Sequence, residues 1–135
     1  MNAVDTNVLI YSHDPRDPLK QNKAVALIAS LTDGVLLWQV ACEYVSASRK
    51  LSAYGLSRQQ AYTDLRRLRV AWTPVLPSWP VIDKAESLMV TGNLSFWDAM
   101  IVAACVEGGV RTLYTEDFDS STSAISGVKI VNPFI

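Results

Sequence analysis

Near its start the chain carries the segment Ala3-Val4-Asp5-Thr6-Asn7-Val8-Leu9-Ile10-Tyr11. A short apolar run ends at Asp5 and a second apolar run follows at once, which is typical of a buried strand that leads directly into a helix. Asp5 lies at the junction, where its carboxylate could accept a hydrogen bond from a free backbone N–H of the helix. The segment therefore predicts a strand and a helix with an acidic residue between them.

The rest of the chain continues this alternation of strand-like and helix-like segments. The apolar periodicity predicts further strands at 35–38, 111–115 and 128–131, and helices at 19–31, 40–53, 57–70, 81–90 and, after a cap at Ser95, up to 106. The two prolines of 73–77 allow only a short extended piece there. Strands that alternate with helices form a parallel sheet covered by helices on both faces. We therefore predict one α/β domain spanning residues 1–135.

The composition limits the chemistry that this domain could perform. Its only histidine, His13, lies in a polar segment with two prolines that indicates a solvated loop. Cleavage of RNA by two histidines is therefore excluded, and a serine or cysteine nucleophile would lack a well-placed base. Neither GxxxxGK[ST] nor GxGxxG occurs, so nucleotide-binding loops of those kinds are absent. Any catalysis must depend on carboxylates.

The cysteines and the ends of the chain give an expectation of location. Cys42 and Cys105 are isolated thiols without CxxC spacing, which suits a reducing compartment and offers no thiolate site for zinc. No apolar run reaches the length of a spanning helix, and no basic segment precedes an apolar one at the N-terminus. We expect a cytoplasmic protein without a membrane partner.

Four acidic residues share a placement that their separate structural explanations do not account for. Asp5 and Asp117 follow predicted strands, where parallel sheets collect ligand-binding groups, whereas Glu43 and Asp98 lie near the starts of helices. Asp98 could serve only as part of a capping box with Ser95, and an aspartate such as Asp117 is common in turns. Clustered carboxylates repel one another unless cations intervene, and oxygen ligands favour Mg²⁺ or Mn²⁺. A divalent-metal site explains all four.

At this point the sequence resembles the PIN-domain ribonucleases, and among them the VapC-type toxins of bacterial toxin–antitoxin modules. The matching pieces span nearly the whole chain: Val4-Asp5-Thr6-Asn7-Val8-Leu9, Glu43, Ser95-Phe96-Trp97-Asp98-Ala99 and Leu113-Tyr114-Thr115-Glu116-Asp117-Phe118. The resemblance implies a five-stranded parallel sheet and an endoribonuclease that uses Mg²⁺, with Mn²⁺ as a substitute, to hydrolyse RNA phosphodiester bonds. It also implies a cognate antitoxin and a homodimer.

The resemblance assigns Asp5, Glu43, Asp98 and Asp117 as catalytic metal ligands. The fourth position stays open among Glu116, Asp117 and Asp119, of which Asp117 fits the family pattern Thr-x-Asp best. Auxiliary contacts are expected from Thr6, Asn7, Thr115 and Asp119, although Thr6 could equally be an ordinary residue of the first helical turn.

The positive charge of the chain is unevenly distributed. Its 12 basic residues nearly balance its 13 acidic ones, which gives a net charge of -1 and at first argues against a nucleic-acid partner. Half of the basic residues, however, fall in one short stretch: Arg49, Lys50, Arg58, Arg66, Arg67 and Arg69. We predict that Arg49, Lys50, Arg66, Arg67 and Arg69 contact the RNA backbone, whereas for Arg58 and Arg66 a solvated helix face is an equal explanation.

Three other functions have to be compared with this one. A receiver module needs paired acids after the first strand, and a haloacid-dehalogenase-like phosphatase needs a second aspartate there, but Asp5 is followed by Thr6 and Asn7. The remaining alternative is a catalytically idle PIN fold that binds RNA or protein. Retention of all four acids argues against it.

Overall fold

The computed structural model describes residues 1–135 and contains seven α-helices, one 3₁₀ helix and five strands. In chain order they are β1 Asn2–Val4, α1 Thr6–Tyr11, α2 Pro18–Ser30, β2 Gly34–Leu37, α3 Trp38–Ser48, the 3₁₀ helix Arg49–Tyr54, α4 Arg58–Ala71, β3 Thr73–Val75, α5 Trp79–Gly92, α6 Phe96–Glu107, β4 Thr112–Tyr114, α7 Ser120–Ser126 and β5 Lys129–Val131.

The five strands form one sheet in the order β3-β2-β1-β4-β5, and every neighbouring pair is parallel. β1 lies at the centre, where Ala3 pairs with Val35 on one side and with Leu113 on the other. The chain adds strands outward to β3 and then crosses back to place β4 beside β1. The carboxyl ends of β1 and β4 therefore border a topological switch point, where open α/β sheets bind their ligands.

The helices divide into two groups that cover the sheet. Helices α1 to α4 contact one another, and helices α5 to α7 form a second mutually contacting group. Right-handed crossovers on either side of the switch point place the two groups on opposite faces. Helix α6 is the most deeply buried, since Ala99, Ile101, Val102, Ala103 and Cys105 all lie in the core. The predicted parallel sheet with helices on both faces is confirmed.

Local interactions explain where several elements begin. Five helices start at a residue whose side chain accepts a hydrogen bond from the first turn, namely Asp5, Asp17, Ser57, Ser95 and Asp119. Strand β2 begins at Gly34, where a Cβ atom would lie 2.5 Å from the indole of Trp72. Only glycine lets that ring pack directly against the strand.

The largest differences from the sequence-based prediction are at two boundaries and one helix. Trp38, predicted to end a strand, is the first residue of α3, and the predicted helix 40–53 ends at Ser48 before a 3₁₀ turn. Helix α7 was not predicted, because its sequence Ser120–Ser126 is rich in Ser and Thr and has no apolar period. No single helix is long and apolar enough to cross a membrane; the pair α5 and α6 meets the length and composition test only together, across a 118° bend.

Candidate active site

Asp5 is the buried centre of the candidate site. It follows β1, its side chain is nearly inaccessible, and it caps α1 through a 2.7 Å hydrogen bond from the Thr6 N–H to Oδ1. The Thr115 hydroxyl donates to Oδ2 at 2.8 Å. Burial, and to a smaller extent the nearby charges of Asp117 and Glu43, raise the pKa of Asp5 to about 6 despite these hydrogen bonds. Asp5 is therefore both a helix cap and a carboxylate that other carboxylates destabilise.

Thr115 connects the two strand ends. While its hydroxyl donates to Asp5, the same oxygen accepts hydrogen bonds from the Asp117 N–H at 3.0 Å and from Asn7 Nδ2 at 3.3 Å. Asn7 Nδ2 also donates to Asp117 Oδ2 at 3.1 Å. The segments Asp5-Thr6-Asn7 and Thr115-Glu116-Asp117 thus form one hydrogen-bonded unit across β1 and β4.

Asn7 leaves one polar atom without a partner. Its Oδ1 is the only buried side-chain oxygen or nitrogen that makes no hydrogen bond. An unsatisfied buried acceptor costs about 1–3 kcal/mol, so a group of this kind calls for an explanation beyond packing. An amide oxygen beside carboxylates is suited to a water molecule or to the hydration shell of a cation.

Glu43 reaches the site from the second turn of α3. Its carboxylate accepts hydrogen bonds from the Thr6 hydroxyl at Oε2 and from Gln39 Nε2 at Oε1, the latter at 2.8 Å. Gln39 Nε2 also donates to the Trp97 carbonyl at 3.0 Å, which links Glu43 to the N-terminus of α6. Gln39 was not among the predicted site residues; its position one helical turn before Glu43 was the available signal.

Asp98 lies on the first turn of α6 with its side chain exposed. Its backbone N–H donates to the Ser95 hydroxyl at 3.4 Å, but its carboxylate makes no hydrogen bond or ion pair with any residue. Only half of a capping box is therefore present, and the carboxylate is free. The structure places Glu43 and Asp117 near enough to Asp5 for their charges to act on its carboxylate. Asp98 directly follows Trp97, whose carbonyl accepts a hydrogen bond from Gln39.

The three acids that compete for the fourth position have different partners. Glu116 pairs with Lys20 at 2.9 Å and accepts a hydrogen bond from the Tyr11 hydroxyl at 2.6 Å. Asp119 caps α7 through the Ser121 N–H at 2.9 Å. Asp117 alone shares hydrogen-bond partners with Asp5. The structure thus favours Asp117 over its two neighbours.

His13 does not take part in the carboxylate cluster. It lies on the turn after α1, as predicted, but it is only partly exposed, since its ring stacks on Tyr44 and its Nε2 lies 3.0 Å from Asp64. The prediction of a solvated histidine is therefore wrong in part. Its partners Tyr44 and Asp64 belong to α3 and α4, and it forms no ion pair with any of the four candidate acids.

The donor set suits a hard divalent cation that keeps part of its hydration shell. No three His, Cys, Asp or Glu side chains lie close enough together to hold an ion directly. Hydrogen bonds from Thr6, Gln39, Asn7 and Thr115 hold the carboxylates in separate positions. Mg²⁺ is usually bound through one or two carboxylates and several waters, so oxygen atoms placed in this way fit such an ion.

The predicted basic cluster is divided between two faces. All of its members are exposed, and none forms an ion pair within the chain: Arg49, Lys50, Arg58, Arg66, Arg67 and Arg69. Arg66 and Arg69 line an apolar groove between α3, α4 and β3, whereas Arg67 lines a smaller cavity beside His13 and Asp64.

Removal of the Thr115 hydroxyl will test its role as the link between the strand ends. We expect Thr115→Val to lower the free energy of unfolding by about 1–3 kcal/mol, because Asp5 loses a donor and the Asp117 N–H loses an acceptor. Urea denaturation will measure this decrease. Thr112→Val is the matched control, since Thr112 begins the strand that Thr115 follows and its hydroxyl makes no hydrogen bond; equal decreases in the two variants would refute the proposed role.

Comparison with known proteins places the chain in a family. The family model described as PIN domain matches residues 3–124. Among curated protein sequences, none matches this chain significantly.

Three solved structures illustrate the similarity of fold. A toxin–antitoxin complex from Klebsiella pneumoniae is 19% identical over 98% of both chains, with a TM-score of 0.69. The sarcin-ricin loop cleaving toxin VapC20 from Mycobacterium tuberculosis is 20% identical over 96% of this chain and 99% of its own, with a TM-score of 0.71. FitAcB from Neisseria gonorrhoeae is 21% identical over 99% of both chains, with a TM-score of 0.66. The fold and the family match agree with the sequence motifs, and the chain belongs to the PIN-domain family.

Proposed function

We propose that the chain, as one PIN domain over residues 1–135, is a Mg²⁺- or Mn²⁺-dependent endoribonuclease that acts in the cytoplasm as the toxin of a toxin–antitoxin pair. The observation that carries the proposal is the buried carboxylate of Asp5, held beside Asp117 and Glu43 at the switch point of the sheet. Uncompensated carboxylates in such a place are costly, and a cation removes the cost.

The four acids would have different tasks in the reaction. The bound ion supplies Lewis acidity that favours attack of water on a phosphodiester and stabilises negative charge in the transition state. Asp5 and Asp117 would hold it, and the orphaned Asn7 Oδ1 would accept a hydrogen bond from its hydration shell. Glu43 is oriented by Thr6 and Gln39, and the free carboxylate of Asp98 is available to accept the proton of the attacking water.

Two findings support the biological part of the proposal. VapC20, which shares the fold, is described as cleaving the sarcin-ricin loop, and this supports RNA as the substrate here. The Klebsiella structure is a toxin–antitoxin complex, which supports a cognate antitoxin as the partner of this chain.

The alternative is an idle PIN fold that binds RNA or protein, and the absence of a preformed cluster of three acids favours it. A calorimetric titration with Mn²⁺ separates the two functions. The wild-type chain should bind Mn²⁺ and Asp5→Asn should not, whereas Asp33→Asn, which alters an exposed acid at the amino end of β2, should bind normally. Absence of binding to the wild-type chain would support the idle module.

Substrate binding should depend on salt through the basic residues. Replacement of Arg66, Arg67 and Arg69 with Ala should weaken RNA binding and reduce the slope of log K against log salt by about 0.7 for each phosphate that the variant no longer neutralises. Fluorescence anisotropy with a labelled single-stranded RNA at several salt concentrations will measure the slope. Arg111→Ala, at the amino end of β4, is the control, and an unchanged slope in the triple variant would reject these interactions.

A further inference from the structure

Trp97 presents a large aromatic ring to solvent beside a candidate catalytic acid. Trp97 is 63% exposed, and Asp98 directly follows it in the chain. A tryptophan that serves only packing is buried, as Trp72 is against Gly34 of β2. Packing of the core therefore does not explain the place of Trp97, and exposed tryptophans of this kind are typical of binding surfaces.

The neighbours of Trp97 hold its backbone and leave much of its ring free. The Phe96 and Trp97 rings pack edge to face, with centroids 4.9 Å apart. Gln39 Nε2 donates to the Trp97 carbonyl at 3.0 Å. A side chain held in this way loses little conformational freedom when a ligand stacks on its ring, so more of the stacking interaction contributes to affinity.

The Trp97 ring lines a groove of about 350 Å³ between α3, α6 and the segment that follows β3. We call it the Trp97 groove. None of its ten lining residues is charged, and most are apolar, such as Trp38 and Leu76. A groove without positive charge is a poor site for a phosphate, whereas a flat, uncharged aromatic group can enter it.

The Trp97 groove adjoins both the candidate acids and a pair of arginines. Gln39 lines it, and the same Gln39 nitrogen that binds the Trp97 carbonyl donates to Glu43 Oε1 at 2.8 Å. The Trp97 groove also shares four residues with the larger groove, which Arg66 and Arg69 line. Positive charge for the backbone and an aromatic ring for a base are the two elements that sites for single-stranded nucleic acids combine.

We propose that Trp97 binds a nucleobase: its indole stacks on the base of the nucleotide next to the cleaved phosphodiester. This inference rests on the proposed ribonuclease, whose carboxylates would hold the reacting phosphate beside Asp98. Proteins commonly bind unpaired bases of RNA by stacking them on aromatic side chains. Each such contact strengthens binding roughly 5- to 150-fold, which corresponds to about 1–3 kcal/mol.

A base fits the Trp97 groove better than a protein segment does. The groove is at the small end of the range for ligand sites, whereas a standard protein interface covers about 800 Å² on each partner. The hydrogen bonds of Gln39 also join the groove to Glu43, where the RNA is expected to react.

Two labelled probes of about 12 nucleotides separate a contact with the base from a contact with the backbone. One probe is oligoadenylate, and the other is a chain of the same length whose riboses carry no base. Fluorescence anisotropy in EDTA, where the proposed cleavage stops, measures the affinity for each probe. We expect Trp97→Ala to weaken binding of oligoadenylate at least about fivefold and to leave binding of the base-free chain unchanged.

Two further variants make this result specific to the ring of Trp97. Trp97→Phe keeps an aromatic face and should weaken binding of oligoadenylate less than about twofold. Trp79→Ala is the matched control, because Trp79 is 79% exposed on α5 and does not line the Trp97 groove. It should bind both probes like the wild-type chain, and thermal unfolding verifies that each variant is folded.

Equal weakening of both probes by Trp97→Ala, or no weakening of either, would overturn the proposal. The same holds for a loss in Trp97→Phe as large as that in Trp97→Ala, since a phenyl ring also stacks on a base. Light scattering tests for a protein occupant: a smaller mass for Trp97→Ala than for the wild-type chain would assign the ring to a protein contact and overturn the proposal.

The position of the bound base is tested with cleaved RNA. One base is removed on either side of the bond that the wild-type chain cleaves. At one of these two positions the missing base should lower wild-type kcat/KM at least about fivefold and leave that of Trp97→Ala unchanged.

No such coupling at either position would overturn the placement of the base next to the cleaved bond. If the wild-type chain cleaves no RNA, the proposed function fails, and binding of the two probes still decides whether Trp97 stacks on a base.

Discussion

Asp5→Asn will abolish RNA cleavage and at the same time raise the free energy of unfolding at pH 7.5 in EDTA. The buried carboxylate accepts hydrogen bonds from the Thr6 N–H and the Thr115 hydroxyl, but burial and the charges of Asp117 and Glu43 still raise its pKa to about 6. Ionised Asp5 therefore lowers the stability of the fold, and the proposed function requires it. The neutral amide keeps the shape and, through its oxygen, the helix cap. It no longer accepts the Thr115 hydroxyl, but that hydrogen bond counts for less than the desolvation cost that the amide removes.

The pH dependence of this effect has a defined sign. In the unfolded chain the carboxyl titrates near its ordinary value of about 4, whereas in the folded chain it titrates at about 6. Protonated Asp5 favours the fold at low pH, and this contribution is lost as pH rises from about 4 through 6. The shift corresponds to at most about 3 kcal/mol above pH 6. Asparagine should gain most of that difference at pH 7.5 and almost none below pH 4.

Urea denaturation of the wild-type and Asp5→Asn chains at pH 4 and pH 7.5, both in EDTA, will measure the difference. We expect the variant to be about 1–3 kcal/mol more stable at pH 7.5 only. Cleavage by the variant should fall at least about 100-fold. Loss of a residue that only orients a metal ligand lowers activity by at most about 100-fold, so a larger decrease indicates a direct ligand. A variant that is destabilised at pH 7.5, or that still cleaves RNA, would contradict the role given to Asp5.

Asp117→Asn will lower cleavage at least about 100-fold, whereas Glu116→Gln and Asp119→Asn will lower it less than about 10-fold. The difference follows from their partners, since Asp117 is hydrogen-bonded to Asn7 and joined to Asp5 through Thr115, while Glu116 pairs with Lys20 and Asp119 caps α7. Loss of a surface pair or a cap affects stability more than chemistry.

Initial rates on one RNA substrate will rank these three variants, and thermal unfolding will show that each is folded at the assay temperature. Equal loss of cleavage in Glu116→Gln and Asp117→Asn would show that the β4–α7 loop acts as a unit and that no single acid is responsible. Retention of full activity by Asp117→Asn would assign the fourth position to another residue.

Periodicity and turn chemistry predicted most of the fold. The apolar runs after Met1 and at 35–37, the caps at Ser57 and Ser95, and the all-round apolar character of α6 are local signals, and local signals specify the elements that they belong to. Helix α7 was not predicted because Ser and Thr side chains compete with the backbone for hydrogen bonds and have no preference for helices. Its start depends on the Asp119 cap. Trp38 is a residue type common in strands and follows an apolar run, but β2 ends at Leu37 and Trp38 begins α3.

The sequence predicted which acids form the candidate site better than it predicted their hydrogen-bond partners. The acids could be found because Asp5 and Asp117 follow strands of one parallel sheet, yet the choice of Asp117 over Glu116 depends on Lys20 and Tyr11, which lie about a hundred residues away in the chain. Gln39 belongs to no motif. Its place four residues before Glu43 is a local signal, whereas its hydrogen bond to the Trp97 carbonyl exists only because α6 approaches α3.

Basic residues that are close in sequence do not all lie on one surface of this protein. Arg66, Arg67 and Arg69 are close in sequence, but adjacent positions on a helix point about 100° apart, so Arg67 faces His13 and Asp64 while the other two face β3. Helical geometry alone could have separated Arg67 from Arg66.

The central claim is that Asp5, Glu43, Asp98 and Asp117 enable a divalent cation to support RNA hydrolysis. The direct measurement incubates the purified chain, free of antitoxin, with total RNA and Mg²⁺ or Mn²⁺, beside samples with EDTA and beside Asp5→Asn and Asp98→Asn. We expect cleavage with either ion, and none in EDTA or in either variant. Cleavage that survives chelation and both substitutions would contradict the claim, and so would a wild-type chain that binds Mn²⁺ but cleaves no RNA.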